Sequence, residues 1–145
     1  HFKKNMVNSP YMKIILASIA GIGFLCSYFL QLTADNVEQY LAVAAVLLLD
    51  GFFGIIAGCK REGFKTYKSL RVLKSIATWE IILTAILMIE KGFTGTGWLS
   101  ETIIAPFIIF QLISALKNAS MSGLIKNELL NIILDKIDKH KGERV

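Results

Sequence analysis

The sequence is short of charge. Only 19% of its 145 residues are Asp, Glu, Lys or Arg, against roughly 25% in an average soluble domain. A soluble protein this small is mostly surface and needs a charged shell, so the deficit argues against a soluble globular enzyme. Histidine is almost missing. His1 and His140 stand near the two ends and leave little material for a His-based triad or metal centre. The two cysteines, Cys26 and Cys59, form neither a CxxC pair nor a zinc spacing and read as packing residues or as incidental. Low-complexity segments and internal repeats are lacking too. The first residue, His1, is not Met, as in a chain numbered after its start codon or a tag.

What is present is apolar. Hydrophobic residues make up 54% of the chain and the mean hydropathy is positive. A membrane-spanning helix takes about 20 residues, so 145 residues hold four or at most five such spans. The expected fold is an all-α integral membrane protein with four transmembrane helices and an amphipathic C-terminal helix.

A basic N-terminal segment, 1–12, precedes a first span at about 13–32, in which Lys13 is the last charge. A basic flank followed by an apolar core also fits a signal peptide. The core is too long for one, and no small-x-small cleavage site follows Leu32, so a retained span is expected. A short acidic loop with Asp35 and Glu38 leads to a second span at about 40–58. Residues 59–74 read as a basic connecting loop before a third span at about 75–90. The Gly-rich stretch 91–101, with Gly92, Gly95 and Gly97, neither follows a strand nor opens with a phosphate-binding Lys, so it reads as a flexible loop. Its Trp98 suits a membrane interface. A fourth apolar run starts at Thr102 and borrows residues to about 121. Pro106 falls in its first turns, where a missing amide donor is cheap. Within 122–145, Ile125, Leu129, Ile132, Ile133 and Ile137 recur at helical spacing. Leu124, Leu130 and Leu134 widen that face, while Asn127, Glu128, Asn131, Asp135 and Asp138 fall opposite. Such a helix could lie on the membrane surface or pair with a neighbouring subunit.

The basic residues sort by segment. The N-terminal segment through Lys13 holds three, the 59–74 loop six and the C-terminal segment from Lys117 onward six, whereas the two alternate loops hold Lys91 alone. The positive-inside rule then places both termini and the 59–74 loop in the cytoplasm, a partition that needs an even number of spans. Lys60, Arg61, Lys65, Lys68, Arg71 and Lys74 are expected to meet anionic lipid head groups. The net charge of +5 is thus no sign of nucleic-acid binding, and no cofactor, metal or catalytic residue is expected.

Asp50 and Glu80 are the intramembrane polar candidates. A carboxylate inside a span costs at least a few kcal/mol and is a functional candidate by default. Counted from the span ends, both lie roughly 9–12 Å deep on one side, where they could face each other or meet Lys74 or Arg71. Either serves in a proton path or pore, or as a buried polar anchor between helices. Small residues supply the helix-packing candidates: Gly51, Gly54 and Gly58 in the second span, and Ala17 with Gly21, or Gly23 with Ser27, in the first. Small-xxx-small faces let helix backbones approach closely in lipid.

Asp50-Gly51-Phe52-Phe53-Gly54 followed by Ala57 resembles the D-x-x-x-G…A pattern of phage holins of the toxin-secretion/phage-lysis type. In that family the motif closes a span and leads into a basic loop, as Lys60 to Lys74 follows here. The apolar stretch Phe110 to Asn118, then Leu129 to Lys141, is similar to the family's ending. The resemblance covers roughly residues 41–141. It departs at Phe53, where many members carry Thr, and Glu80 lies outside the pattern. It implies a lysis protein that accumulates in the bacterial cytoplasmic membrane, forms homo-oligomers and opens lesions that release endolysin. Two other readings stay open. An accessory subunit of a larger membrane assembly would use the tail helix for docking. A small proton-coupled transporter would use Asp50 or Glu80, although four-span multidrug transporters place their carboxylate in the first span, where this chain has none.

Overall fold

The structure is a computed structural model and describes residues 9–143. The basic N-terminal residues before these, and Arg144 with Val145, lie outside the described residues. Helices follow one another as α1 (Pro10–Asp35), α2 (Val37–Glu62), α3 (Thr66–Gly92), α4 (Leu99–Met121) and α5 (Asn127–Glu143). No strand occurs among the described residues. Helices α1 to α4 are each long and apolar enough to cross a membrane. The chain is therefore a multi-pass membrane protein. It divides into two units, His1–Val37 and Glu38–Val145.

The first unit is essentially α1. Pro10 opens it, where a missing amide costs least. At its end Asn36 donates its side-chain amide to the Leu32 carbonyl at 2.9 Å, which satisfies a last-turn acceptor. Ile14, Ile19, Ile22, Phe24 and Leu30 are exposed and Leu32 is buried, and exposed apolar side chains suit a helix that crosses lipid.

In the second unit, α2 buries Val43, Val46 and Leu47, and α3 buries Leu83, Ile86 and Leu87. Both sets repeat at i, i+3, i+4, one stripe of a helix. From α4, Ile104, Phe107, Ala115 and Ala119 join the core. Trp79 of α3 stacks on Phe107 of α4 with ring centroids 3.6 Å apart. Leu41, Phe52, Leu73, Ile81 and Phe110 remain exposed. Lipid is as apolar as these side chains, so packing and internal hydrogen bonds hold the helices together.

Several expected boundaries are corrected. The basic loop at 59–74 is mostly helix: only Gly63, Phe64 and Lys65 separate α2 from α3. Gly63 takes φ 82, which glycine adopts without the Cβ clash that hinders other residues. The acidic loop at 33–39 shrinks to Asn36. Helix α4 starts at Leu99 and not at Thr102, so Pro106 lies inside the helix and denies Thr102 its usual amide partner. The tail helix starts at Asn127 and not at Ser122.

The end of α4 explains that last shift. Leu124 N–H donates to the Ala119 carbonyl and Gly123 N–H to the Ser120 carbonyl, both at 3.0 Å. Gly123 has φ 78. This is a Schellman ending, which needs a left-handed residue just past the helix. The chain then reverses. Ile133, Ile137 and His140 of α5 lie beside Ile109 and Leu112 of α4, so α5 runs back antiparallel along α4. Leu130 is buried, Ile133, Leu134 and Ile137 are half-buried, and Leu129 and Ile132 stay exposed. The helix thus seats a narrower stripe than its sequence offers, and it seats it on its own chain.

Candidate functional site

The polar side chains of the second unit converge where α2 ends, α3 begins and α4 ends. Asp50 lies in the second half of α2. The Asn118 side-chain amide donates to Asp50 Oδ1 at 3.1 Å, joining α2 to α4. One turn on, Ser122 is 2% exposed. Its hydroxyl is 2.6 Å from the Asn118 carbonyl and 3.5 Å from the Phe53 carbonyl. It has one proton to give, and the shorter contact takes it. The Lys60 ammonium donates to the Ser122 carbonyl. A cation here meets the negative end of the α4 dipole and one of its unpaired carbonyls.

The glycines permit this closeness. A Cβ on Gly51 would stand 2.5 and 2.7 Å from the two methyl carbons of Val72 on α3, closer than two carbons pack. A Cβ on Gly58 would meet Lys68 Nζ at 2.8 Å, whereas one on Gly54 would meet only the Asn118 amide at 3.4 Å. The Gly51, Gly54 and Gly58 stripe is therefore spent on contacts within the chain. Ala17 and Gly21 stand exposed on α1.

The six basic candidates divide. Lys60 holds the end of α4. Lys65 and Lys68 approach Glu62 Oε2 at 3.4 and 3.6 Å. Glu62 lies past the apolar part of α2, and the hydrogen bond and charge of Lys65, then the charge of Lys68, hold its carboxyl below the ordinary range. The Arg71 guanidinium lies 5.8 Å from the Tyr67 ring centre, within cation–π reach. Arg61 and Lys74 are exposed and the freest to meet head groups.

Asp50 and Glu80 do not share a level. Gly51 packs on Val72 and the Tyr40 hydroxyl bonds Thr84 Oγ1 at 2.7 Å. Between these two fixed points Glu80 falls level with residues 43–44 of α2, about 10 Å along the axis from Asp50. The equal depths expected from the span ends fail because α3 begins at Thr66, well before residue 75. Glu80 Oε2 is buried without a hydrogen-bond partner. The partner of Asp50 is Asn118, and neither Lys74 nor Arg71 bonds it.

At the opposite end the chain caps α4 differently. Glu90, near the end of α3, accepts the Ser100 amide through Oε1. That amide is one of the unpaired donors of a helix start, where a carboxylate is favoured. Trp98 Nε1 bonds the Gly95 carbonyl at 2.8 Å.

Asn118, Ser122, Val72 and Glu90 were not among the residues singled out from sequence. Gly123 carried a readable signal, a glycine just past an apolar helix. An amide near the end of a span, as at Asn118, is a weaker one. Both cysteines are free and exposed. No cluster of potential metal ligands occurs among the described residues. No protein-family model, curated protein or solved structure matches the chain.

Proposed function

We infer that the chain is a holin-type protein of the bacterial cytoplasmic membrane. It assembles with copies of itself and permeabilises the membrane to release endolysin. The N-terminus, the α2–α3 connection and the start of α5 face the cytoplasm, as the charge sorting favours. The observation that carries this reading is the placement of α5. This helix lies antiparallel on apolar α4 and reaches the level of Ile109, near the middle of a spanning helix. Its other face bears Glu128, Asn131, Asp135 and Asp138, all exposed.

Insertion energies decide where such a face can rest. Each buried Leu or Ile gains about 0.3–0.6 kcal/mol at a helix centre, while each charged residue costs about 2.5–3.5 kcal/mol. The carboxylates outweigh the Leu130, Ile133, Leu134 and Ile137 stripe several-fold. The face is stable at that depth only against water or another polar face. Several copies arranged around water supply both. The close-packed Asp50 motif supports the same reading by giving each copy a rigid basic end.

Inducible expression of the full chain in a bacterium tests the proposal. The expected result is abrupt membrane depolarisation with release of co-expressed endolysin. A membrane that stays polarised at high expression overturns it. A second reading, an accessory subunit of a larger membrane assembly, draws on Leu129 and Ile132, which α5 leaves exposed. A co-purifying partner lost on deletion of residues 122–145 would favour it.

A further inference from the structure

The six basic candidates around the α2–α3 turn are not equivalent. Lys60 bonds the end of α4, and Lys65 and Lys68 hold Glu62. These three already have acceptors within the chain. Arg71 and Lys74 do not. Both are exposed, and among the described residues neither side chain forms an ion pair or a hydrogen bond. The neighbouring acids are elsewhere engaged. Glu62 is held by its two lysines, Asp50 by Asn118, and the Glu80 Oε2 is buried.

Both cations stand deep. Gly51 packs on Val72 and Tyr40 bonds Thr84, so α2 and α3 run antiparallel. Lys74 is then level with about Leu49, and Arg71 with about Phe52. Gly58, where the apolar run of α2 ends, lies about 14 Å beyond the level of Lys74 and about 9 Å beyond that of Arg71. A lysine stem lets its ammonium reach toward the interface, but it falls short of that distance. A cation held on an exposed face at that depth needs an anion brought to it.

The same face of α3 is amphiphilic. Tyr67, Arg71 and Lys74 stand four and three residues apart on one side of the helix, and Ala77, Ile81 and Ala85 continue that side toward Glu90. All six are exposed. The Arg71 guanidinium lies 5.8 Å from the Tyr67 ring centre, a contact made through its charge. Its N–H groups, arranged in a planar fork that suits a phosphate, stay free. We propose that this face binds an anionic phospholipid of the phosphatidylglycerol type. The phosphate accepts from Arg71 and Lys74, and one acyl chain runs along Ala77, Ile81 and Ala85. The head group is thereby drawn in to the level of Asp50, and the bilayer thins where it meets α3.

Charge selects this class of lipid. A zwitterionic lipid brings its own cation, and no free carboxylate stands here to receive it. The rival occupant is the polar face of α5 in a second copy. Its Glu128 could meet the two cations, but Asn131, Asp135 and Asp138 would then lie along Ala77, Ile81 and Ala85, which offer them no partner. A phospholipid presents an anion and then an apolar chain, in the order that α3 does. The proposal rests on the four helices crossing a bilayer and not on the permeabilising role.

Native mass spectrometry of the full chain tests it, with phosphatidylglycerol and phosphatidylcholine of equal chain length. Two cations, discounted for their exposure, should make the anionic lipid bind about tenfold more tightly. Arg71→Gln with Lys74→Gln should remove that preference. Lys65→Met with Lys68→Met deletes as many charges and should keep most of it. Lys74→Gln alone should lower the preference about threefold, and serves if the double variant fails to fold. Equal binding of the two lipids overturns the proposal, as does a preference unchanged by Lys74→Gln. Equal losses from the two double variants also overturn it, because the attraction would then belong to the basic end as a whole. So does a lipid-free dimer that Glu128→Gln dissociates together with Lys74→Gln, which would assign the face to a second copy.

Discussion

The two ends of the α2–α4 unit are built on opposite principles. At the basic end the helices touch: Gly51 admits Val72, Asn118 bonds Asp50, and Lys60 closes the last turn of α4. At the other end α2 and α4 stand apart over a cavity with a carboxylate on each side. The dipoles of α2 and α4 run in parallel. Their ends together attract a cation such as Lys60, and their starts together attract acids that repel each other. One end can therefore be closed by the chain's own lysine. The other carries a carboxylate in the first turn of each helix, Glu38 and Glu101, with Ala42 and Ala105 beside them.

The contrast breaks most sharply at Gly51. Gly51→Leu forces side-chain atoms into Val72 and should destabilise the protein by about 3 kcal/mol, read from SDS-titration midpoints of the purified protein. Pairing it with Val72→Ala should recover a large share, and additive losses would show that the two residues do not meet. Asp50→Leu comes next. It leaves the Asn118 amide unpaired and should cost about 2 kcal/mol, whereas Asp50→Asn keeps an acceptor and should lose less than half of that. Equal losses from the two would deny the hydrogen bond its role.

The two caps of α4 allow a direct comparison. Lys60→Met and Glu90→Ala each remove a group from one end of the same helix, and each should cost about 1 kcal/mol. Glu90→Gln should restore most of the second loss because the amide oxygen still accepts from Ser100. The smallest effect concerns pH. Glu62 is held below its ordinary value of 4.5 by Lys65 and Lys68. Its stabilising contribution is full above that ordinary value and fades as pH falls through the lowered one. An NMR titration should place its midpoint below 4.5, and Lys65→Met with Lys68→Met should return it there.

Much of the fold was legible because apolar length and charge sorting are local properties. Each of α1 to α4 begins and ends within about nine residues of where the apolar runs do. The largest error, the start of α3, arose because Lys68, Arg71 and Lys74 read as loop chemistry. Long basic side chains tolerate a helix well, since stems pack while heads reach outward. The site was legible in part. Asp50, the glycines and Lys60 were chosen for their types. Their partners Asn118, Val72 and Ser122 lie on other helices, and no local pattern connects them.

The sequence by itself determined a chain of four apolar helices, a polar-faced tail and a strong segregation of Lys and Arg. These follow from the energy of placing single residues in lipid or water, which needs no knowledge of neighbours. Only the tertiary structure decided that the glycine stripe serves contacts within the chain, that Asp50 bonds Asn118 and not Glu80, and that α5 folds back on α4. Those outcomes depend on which helices are adjacent and at what height. A shift of one turn, about 5.4 Å, would replace every one of these partners while leaving the apolar pattern unchanged.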